Sequence, residues 1–267
     1  MYCYKKFKPL FEMESGRFDT FALTGGRGSM KTGHAVRSVM VEMMKRRLRV
    51  VCFRETKTSQ KDSLINEFKE LIDGEFKGRG FVSNTETIKN VLTGATVTFL
   101  GLRDANDNAR EAIKGLAQVD IWLVDEAQAV SAGVWDVLLK TIRKEGAKLI
   151  VIYNRIDDDL PVEKALFLDY YNKTAPEKTY FVEVNYPELE HTGLLSDKFI
   201  GYAELVKKNK PDEFERDYLN KPRGANVARV VKYWSAENVV ENIRYFEEYD
   251  IYLSLIHISE PTRPISI

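Results

Sequence analysis

FDTFALTGGRGSMKT, residues Phe18–Thr32, decides the fold. Its first part is apolar and reads as a strand over Phe18–Gly26 that ends in a glycine loop. From Thr32 to Arg47, Val36, Val39, Met40, Met43 and Met44 recur at helical spacing, so a helix follows directly. Between strand and helix, GGRGSMKT (Gly25–Thr32) matches G-x-x-x-x-G-K-[ST] except that Met30 stands where the second glycine belongs. Gly25, Gly26 and Gly28, with Arg27 and Ser29 between and after them, let backbone N–H groups turn toward an anion. The helix adds its positive end. Lys31 is expected to neutralise the β- and γ-phosphates of ATP, and the Thr32 hydroxyl to hold Mg²⁺. A side chain at position 30 crowds either the phosphates or the turn, which leaves the loop's affinity open.

Outward from the loop, IWLVDEA (Ile121–Ala127) places two carboxylates at the end of a short apolar strand. In a doubly wound sheet that end faces the ligand crevice. Asp125 is expected to bind Mg²⁺ and Glu126 to polarise the attacking water. LIVIYN (Leu149–Asn154) brings Asn154 to the end of the next buried strand, to contact the γ-phosphate or lytic water, or to cap the following turn. Arg27, inside the loop, can reach the γ-phosphate from the same subunit. Arg54, ending the strand in RVVCFRE (Arg49–Glu55), is either a surface ion-pair partner or an arginine finger toward a neighbouring subunit.

The rest of the first half alternates strands with helices. ATVTFLG (Ala95–Gly101) and TYFVEV (Thr179–Val184) read as further strands, residues 63–72 as a helix, and the glycine-rich Gly74–Asn84 as a turn or exposed loop. The expected fold class is α/β, a three-layer P-loop NTPase domain of the RecA-like kind with a mostly parallel sheet. It covers residues 1–184. Residues 185–248 read as a small helical linker subdomain whose clearest feature is a helix over Leu195–Lys208. Forty basic residues balance 40 acidic ones, so net charge gives no argument for a nucleic-acid partner. Local basic patches occur at Lys45, Arg46, Arg47 and Arg49 and at Lys207, Lys208 and Lys210. Cys3 and Cys52, with His34, His191 and His257, form no metal-ligand spacing and suit a reducing cytosol. No apolar run approaches the roughly 20 residues of a membrane span.

The runs FALTGGRGSMKT, VVCFRETKTSQKDS, EAIKGLAQVDIWLVDEA and LIVIYNR together resemble the large terminase subunit of tailed phages. The resemblance maps the family's loop arginine to Arg27, its strand-ending arginine to Arg54, and its Lys-Gly pair before the acidic strand to Lys114–Gly115. Its coupling motif maps to Asn154, where the family's Asn-Pro is Asn154–Arg155 here. The resemblance implies an ATP-hydrolysing motor that moves double-stranded DNA. Its expected partners are the portal protein and the small terminase subunit, and its expected assembly is a homo-oligomeric ring in the host cytoplasm. A C-terminal nuclease is also implied, and Tyr249–Tyr252 reads as its first strand. LSLIHISEPTR (Leu253–Arg263) looks like translated sequencing adaptor, so residues 253–267 are expected to be non-native. A helicase-like DNA-remodelling ATPase and a non-catalytic nucleotide switch are the competing readings.

Overall fold

Each central strand of the sheet sends alternate side chains to opposite faces. In β1 (Thr20–Thr24), Phe21 and Leu23 join one apolar cluster and Ala22 the other. In β2 (Arg49–Arg54), Val50 and Cys52 oppose Val51 and Phe53. Strands buried on both sides read as continuous apolar runs, which is why the sequence shows no polar alternation there. The structure is a computed structural model and describes residues 3–54, 64–84, 87–101, 113, 116, 118–168 and 174–222. The chain divides into two units, Met1–Pro222 and Arg223–Ile267, and every described residue lies in the first. Residues 223–248 of the expected linker subdomain, the nuclease-like strand and the tail lie outside the described residues, as do Lys114 and Gly115.

The described sheet has eight strands. Its order is β3 (Phe81–Ser83), β4 (Thr87–Asn90), β5 (Thr96–Gly101), β2, β6 (Ile121–Val124), β7 (Lys148–Tyr153), β1 and β8 (Thr179–Glu183). From β5 to β8 all pairs are parallel, while β3 and β4 add an antiparallel margin. α1 (Lys31–Lys45) and α2 (Leu64–Asp73) cover one face, and α3 (Ala132–Thr141) and α4 (Pro161–Leu166) the other. The domain is therefore the three-layer, mostly parallel α/β fold expected. β7 separates the loop-bearing β1 from the acidic β6, so three strand ends converge at one rim.

The helix expected over Leu195–Lys208 is present as α5 (Asp197–Asn209), while an edge strand and a second helix, α6 (Pro211–Tyr218), are not in the sequence reading. Residues 74–80 are turns, but Phe81–Ser83 forms an edge strand paired with β4, where a loop is expected from sequence. After β8, α5 starts on Ser196, whose hydroxyl accepts the Phe199 N–H, and α6 starts on a proline. Proline at a first helical position loses only an N–H that has no helical partner anyway. The two helices enclose a small core of Tyr186, Ala203, Val206, Phe214 and Tyr218. At the other terminus a kinked 3₁₀ segment, Lys5–Ser15, buries Phe7, Leu10 and Met13 beside α1.

Candidate nucleotide-binding site

A cavity of about 290 Å³ opens at the convergent strand ends. Residues 26–33, Asp125, Glu126, Gln128 and Asn154 line it, so loop, acidic pair and β7 end share one space. Each arrives there because a parallel strand ends at the same rim.

The loop's glycines are explained by what crowds them. A Cβ on Gly25 would overlap the Val184 carbonyl, and one on Gly26 would lie 2.5 Å from the Tyr218 carbonyl carbon. A Cβ on Gly28 would lie 2.6 Å from the Phe199 ring. The loop is thus pressed on its outer side by α5 and α6. The Gly26 N–H donates to Asn185 Oδ1 at 3.0 Å and the Arg27 N–H to the Asp217 carbonyl at 2.6 Å. Lys31 Nζ donates to the Gly25 carbonyl at 2.9 Å and to Ser29 Oγ at 3.3 Å. Burial lowers the Lys31 pKa to about 8, against the pull of Asp125 and Glu126, which raise it. An ammonium so desolvated gains most from an anion placed beside it.

Met30 occupies the missing glycine's place in the left-handed region, at φ 59° and ψ 15°. Its side chain packs against the cluster under α1 rather than into open solvent. Its carbonyl accepts the His34 N–H at 3.1 Å and faces His34 Nδ1 at 2.8 Å. His34 is buried, and burial lowers its pKa.

On the acidic side, Asp125 is buried and its N–H donates to the Phe53 carbonyl at 2.9 Å. Glu126 also takes a left-handed backbone, at φ 52°, which turns the chain out of β6 into a short 3₁₀ turn. Gln128 Nε2 donates to Glu126 Oε2, and Gln128 Oε1 accepts the Asn154 N–H at 3.1 Å. Thr32 and Asp125 offer the cavity oxygen donors only. Among the described residues no group of three or more His, Cys, Asp or Glu could hold a metal ion. A cation here would take most of its ligands from water and phosphate, which fits Mg²⁺.

A family model described as phage terminase large subunit matches residues 18–220. The chain belongs to that family. Solved structures agree on the fold. A large terminase from a thermophilic bacteriophage, solved in complex with ADP, superposes with a TM-score of 0.61 at 16% identity, over 81% of this chain and 52% of that one. The bacteriophage HK97 large terminase gives 0.60 at 13% identity, over 83% and 51%. The ATPase domain of the Thermus phage P74-26 large terminase gives 0.56 at 13% identity, over 83% and 99%. The chain thus spans about half the length of the first two terminases and nearly all of the isolated ATPase domain. No curated protein sequence matches it.

Within this terminase chain, Gly25 lies behind the cavity as the acceptor for Lys31, while Gly26, Arg27, Gly28, Ser29, Lys31 and Thr32 line it. The Arg27 side chain is 68% exposed, with Nε 3.7 Å from Asp217 Oδ2 of α6. Arg54 ends β2, and its side chain lies outside the described residues. The Asn154 backbone is held by Gln128, and the next N–H, of Arg155, donates to Asn220 Oδ1 at 2.8 Å. Asn220 is buried, at φ 55°, and its Nδ2 donates to Thr24 Oγ1 at 2.9 Å and Glu183 Oε1 at 3.2 Å. One amide thus joins the ends of β1, β7 and β8 to the residues after α6. Gln128, Asn220, His34 and the cavity-lining Glu67 are site residues that sequence reasoning misses. Only Gln128 carries a signal, its position two residues after Glu126.

No helix among the described residues is long and apolar enough to cross a membrane.

Proposed function

We propose that this chain is the ATP-hydrolysing motor of a phage DNA-packaging terminase. The observation that carries the reading is the convergence of Lys31, Asp125, Glu126 and Asn154 on one cavity at the strand ends. Lys31, already desolvated, binds the β- and γ-phosphates, together with the loop N–H groups after Arg27. Thr32 and Asp125 would hold Mg²⁺, which when bound neutralises charge on the β- and γ-oxygens. Glu126, steadied by Gln128, orients the attacking water and accepts its proton. Asn154 senses the γ-phosphate. Arg27 leaves Asp217 for the γ-phosphate, and Arg54 serves a neighbouring subunit in a ring.

The family and the ADP-bound phage terminase structure support this reading. In the same reading residues 1–184 are the ATPase domain and 185–248 a linker subdomain. Double-stranded DNA is the cargo, portal and small terminase are the partners, and the host cytoplasm is the place of action.

The test is a titration with a fluorescent ATP analogue. Lys31→Ala should abolish binding, and equal affinity in the two proteins would sink the assignment. Glu126→Gln should still bind, while turnover in the assembled motor falls by about 10²-fold.

A further inference from the structure

We propose that His34 is a positioning residue for the phosphate loop, holding the Met30 carbonyl so that a non-glycine residue keeps the left-handed backbone the loop requires. The proposal rests on the nucleotide-site reading above and explains how this loop does without its second glycine.

A left-handed backbone is free to glycine and costly to a residue with a Cβ. Met30 therefore needs contacts that over-determine its conformation. The structure supplies them from one residue. The His34 backbone N–H donates to the Met30 carbonyl at 3.1 Å, and His34 Nδ1 reaches the same oxygen at 2.8 Å. The Tyr4 backbone N–H donates to His34 Nε2 at 3.1 Å. Because Nε2 accepts, the ring proton must sit on Nδ1, which then donates to Met30. Phe7 stacks on the imidazole at 4.5 Å and 27°. His34 is only 1% exposed, so no water competes for either nitrogen.

The peptide that His34 grips joins Met30 to Lys31. Its orientation decides where the Lys31 N–H points and where α1 begins. The N-terminal segment, through Tyr4 and Phe7, is therefore part of the nucleotide site although it contributes no group to the cavity lining.

The test is a double-mutant cycle on the full chain, read as affinity for a fluorescent ATP analogue. His34→Phe keeps the stacked ring and loses both side-chain hydrogen bonds. With Met30 present it should weaken binding by about tenfold, the scale of the left-handed cost. In a Met30→Gly background the same substitution should change affinity by less than about twofold, since glycine needs no clamp. Equal weakening in both backgrounds, or none with Met30, overturns the proposal. If His34→Phe does not fold by circular dichroism, Tyr4→Pro against Tyr4→Ala decides. Tyr4 has φ −68°, which proline adopts, so that pair isolates the N–H. Tyr4→Pro should bind about threefold more weakly than Tyr4→Ala with Met30 present, and equally in the Met30→Gly background. No such difference overturns the proposal. If the wild-type chain itself does not bind the analogue, the nucleotide reading falls first, an outcome distinct from failure of His34 alone.

Discussion

The side-chain amide of Gln128 donates a hydrogen bond to Oε2 of Glu126. The other end of the same amide accepts the Asn154 N–H at 3.1 Å, so a residue outside every recognised motif ties the acidic turn to the end of β7. Gln128→Leu keeps the bulk and removes both bonds. Turnover by the assembled motor should fall by roughly tenfold, the worth of one or two positioning hydrogen bonds. Affinity for an ATP analogue should stay within about twofold, because Gln128 faces the acids rather than the loop backbone. A rise in Kd with unchanged kcat would refute that division of labour.

Gly26 and Gly201 make opposite predictions. A Cβ at Gly26 would meet the backbone of Asp217 and Tyr218, which cannot swing aside as a side chain can. Gly26→Ala should destabilise by about 1–3 kcal/mol and loosen α6 from the loop. Gly201, inside α5, has nothing within 4 Å of its would-be Cβ. Gly201→Ala should stabilise by about 0.5–1 kcal/mol. Thermal melts of both variants check the pair, and a shift of the same sign in each would contradict the packing.

Asn220 does two separable things. It tolerates a left-handed backbone, and it bonds Thr24, Glu183 and the Arg155 N–H. Asn220→Gly keeps the backbone and loses the amide, and should lower stability by about 1–3 kcal/mol, chiefly by removing the partner of the buried Thr24 hydroxyl and of the half-buried Arg155 N–H. Asn220→Val adds the left-handed penalty and should cost more. Urea denaturation would rank them, and the order Gly worse than Val would be incompatible with this geometry.

Asp19 and Lys148 predict a pH effect. Burial pushes the Asp19 carboxyl up, but the hydrogen bond and charge of Lys148, joined by Lys178, bring it below its ordinary 3.8. Lys148 is buried and pairs with Asp19 at 2.7 Å. A carboxyl depressed in the folded state adds stability that is present above its unfolded pKa and is lost as pH falls through the folded value. Asp19 is 43% exposed, so water screens the pair and Asp19→Asn should cost only about 1 kcal/mol at neutral pH. The Tm gap between wild type and variant should close below about pH 4. A gap independent of pH would assign the loss to packing instead.

The strands legible in the sequence are those buried on two faces. FALT, VVCF, IWLV and LIVIY are apolar runs that admit few other readings. β3 and β4 are not legible because FVS and TIKN are short, half polar and set among glycines. α4 and α6 begin on Pro161 and Pro211, and a proline read without its helix looks like a breaker. Lys31, Thr32, Asp125, Glu126 and Asn154 are legible because strand ends bring local motifs to one rim. Asn220 acts on Thr24 from 196 residues away, and the His34 contact with Met30 depends on a Tyr4 N–H 30 residues upstream, distances that no local pattern encodes.

The order of strands in the sheet sets the order in which the chain can mature on the ribosome. Among the described strands Thr20–Thr24 pairs with 149–153 and 179–183, so the strand that leads into the phosphate loop must wait for partners made much later in the chain. β2, β5 and β6 can assemble earlier, because their partners lie closer together in sequence. Long-range parallel pairing of this kind is slow and leaves apolar strands exposed while it waits. A nascent chain should therefore need a holdase until β8 has emerged, and it should acquire nucleotide affinity in one late step rather than gradually.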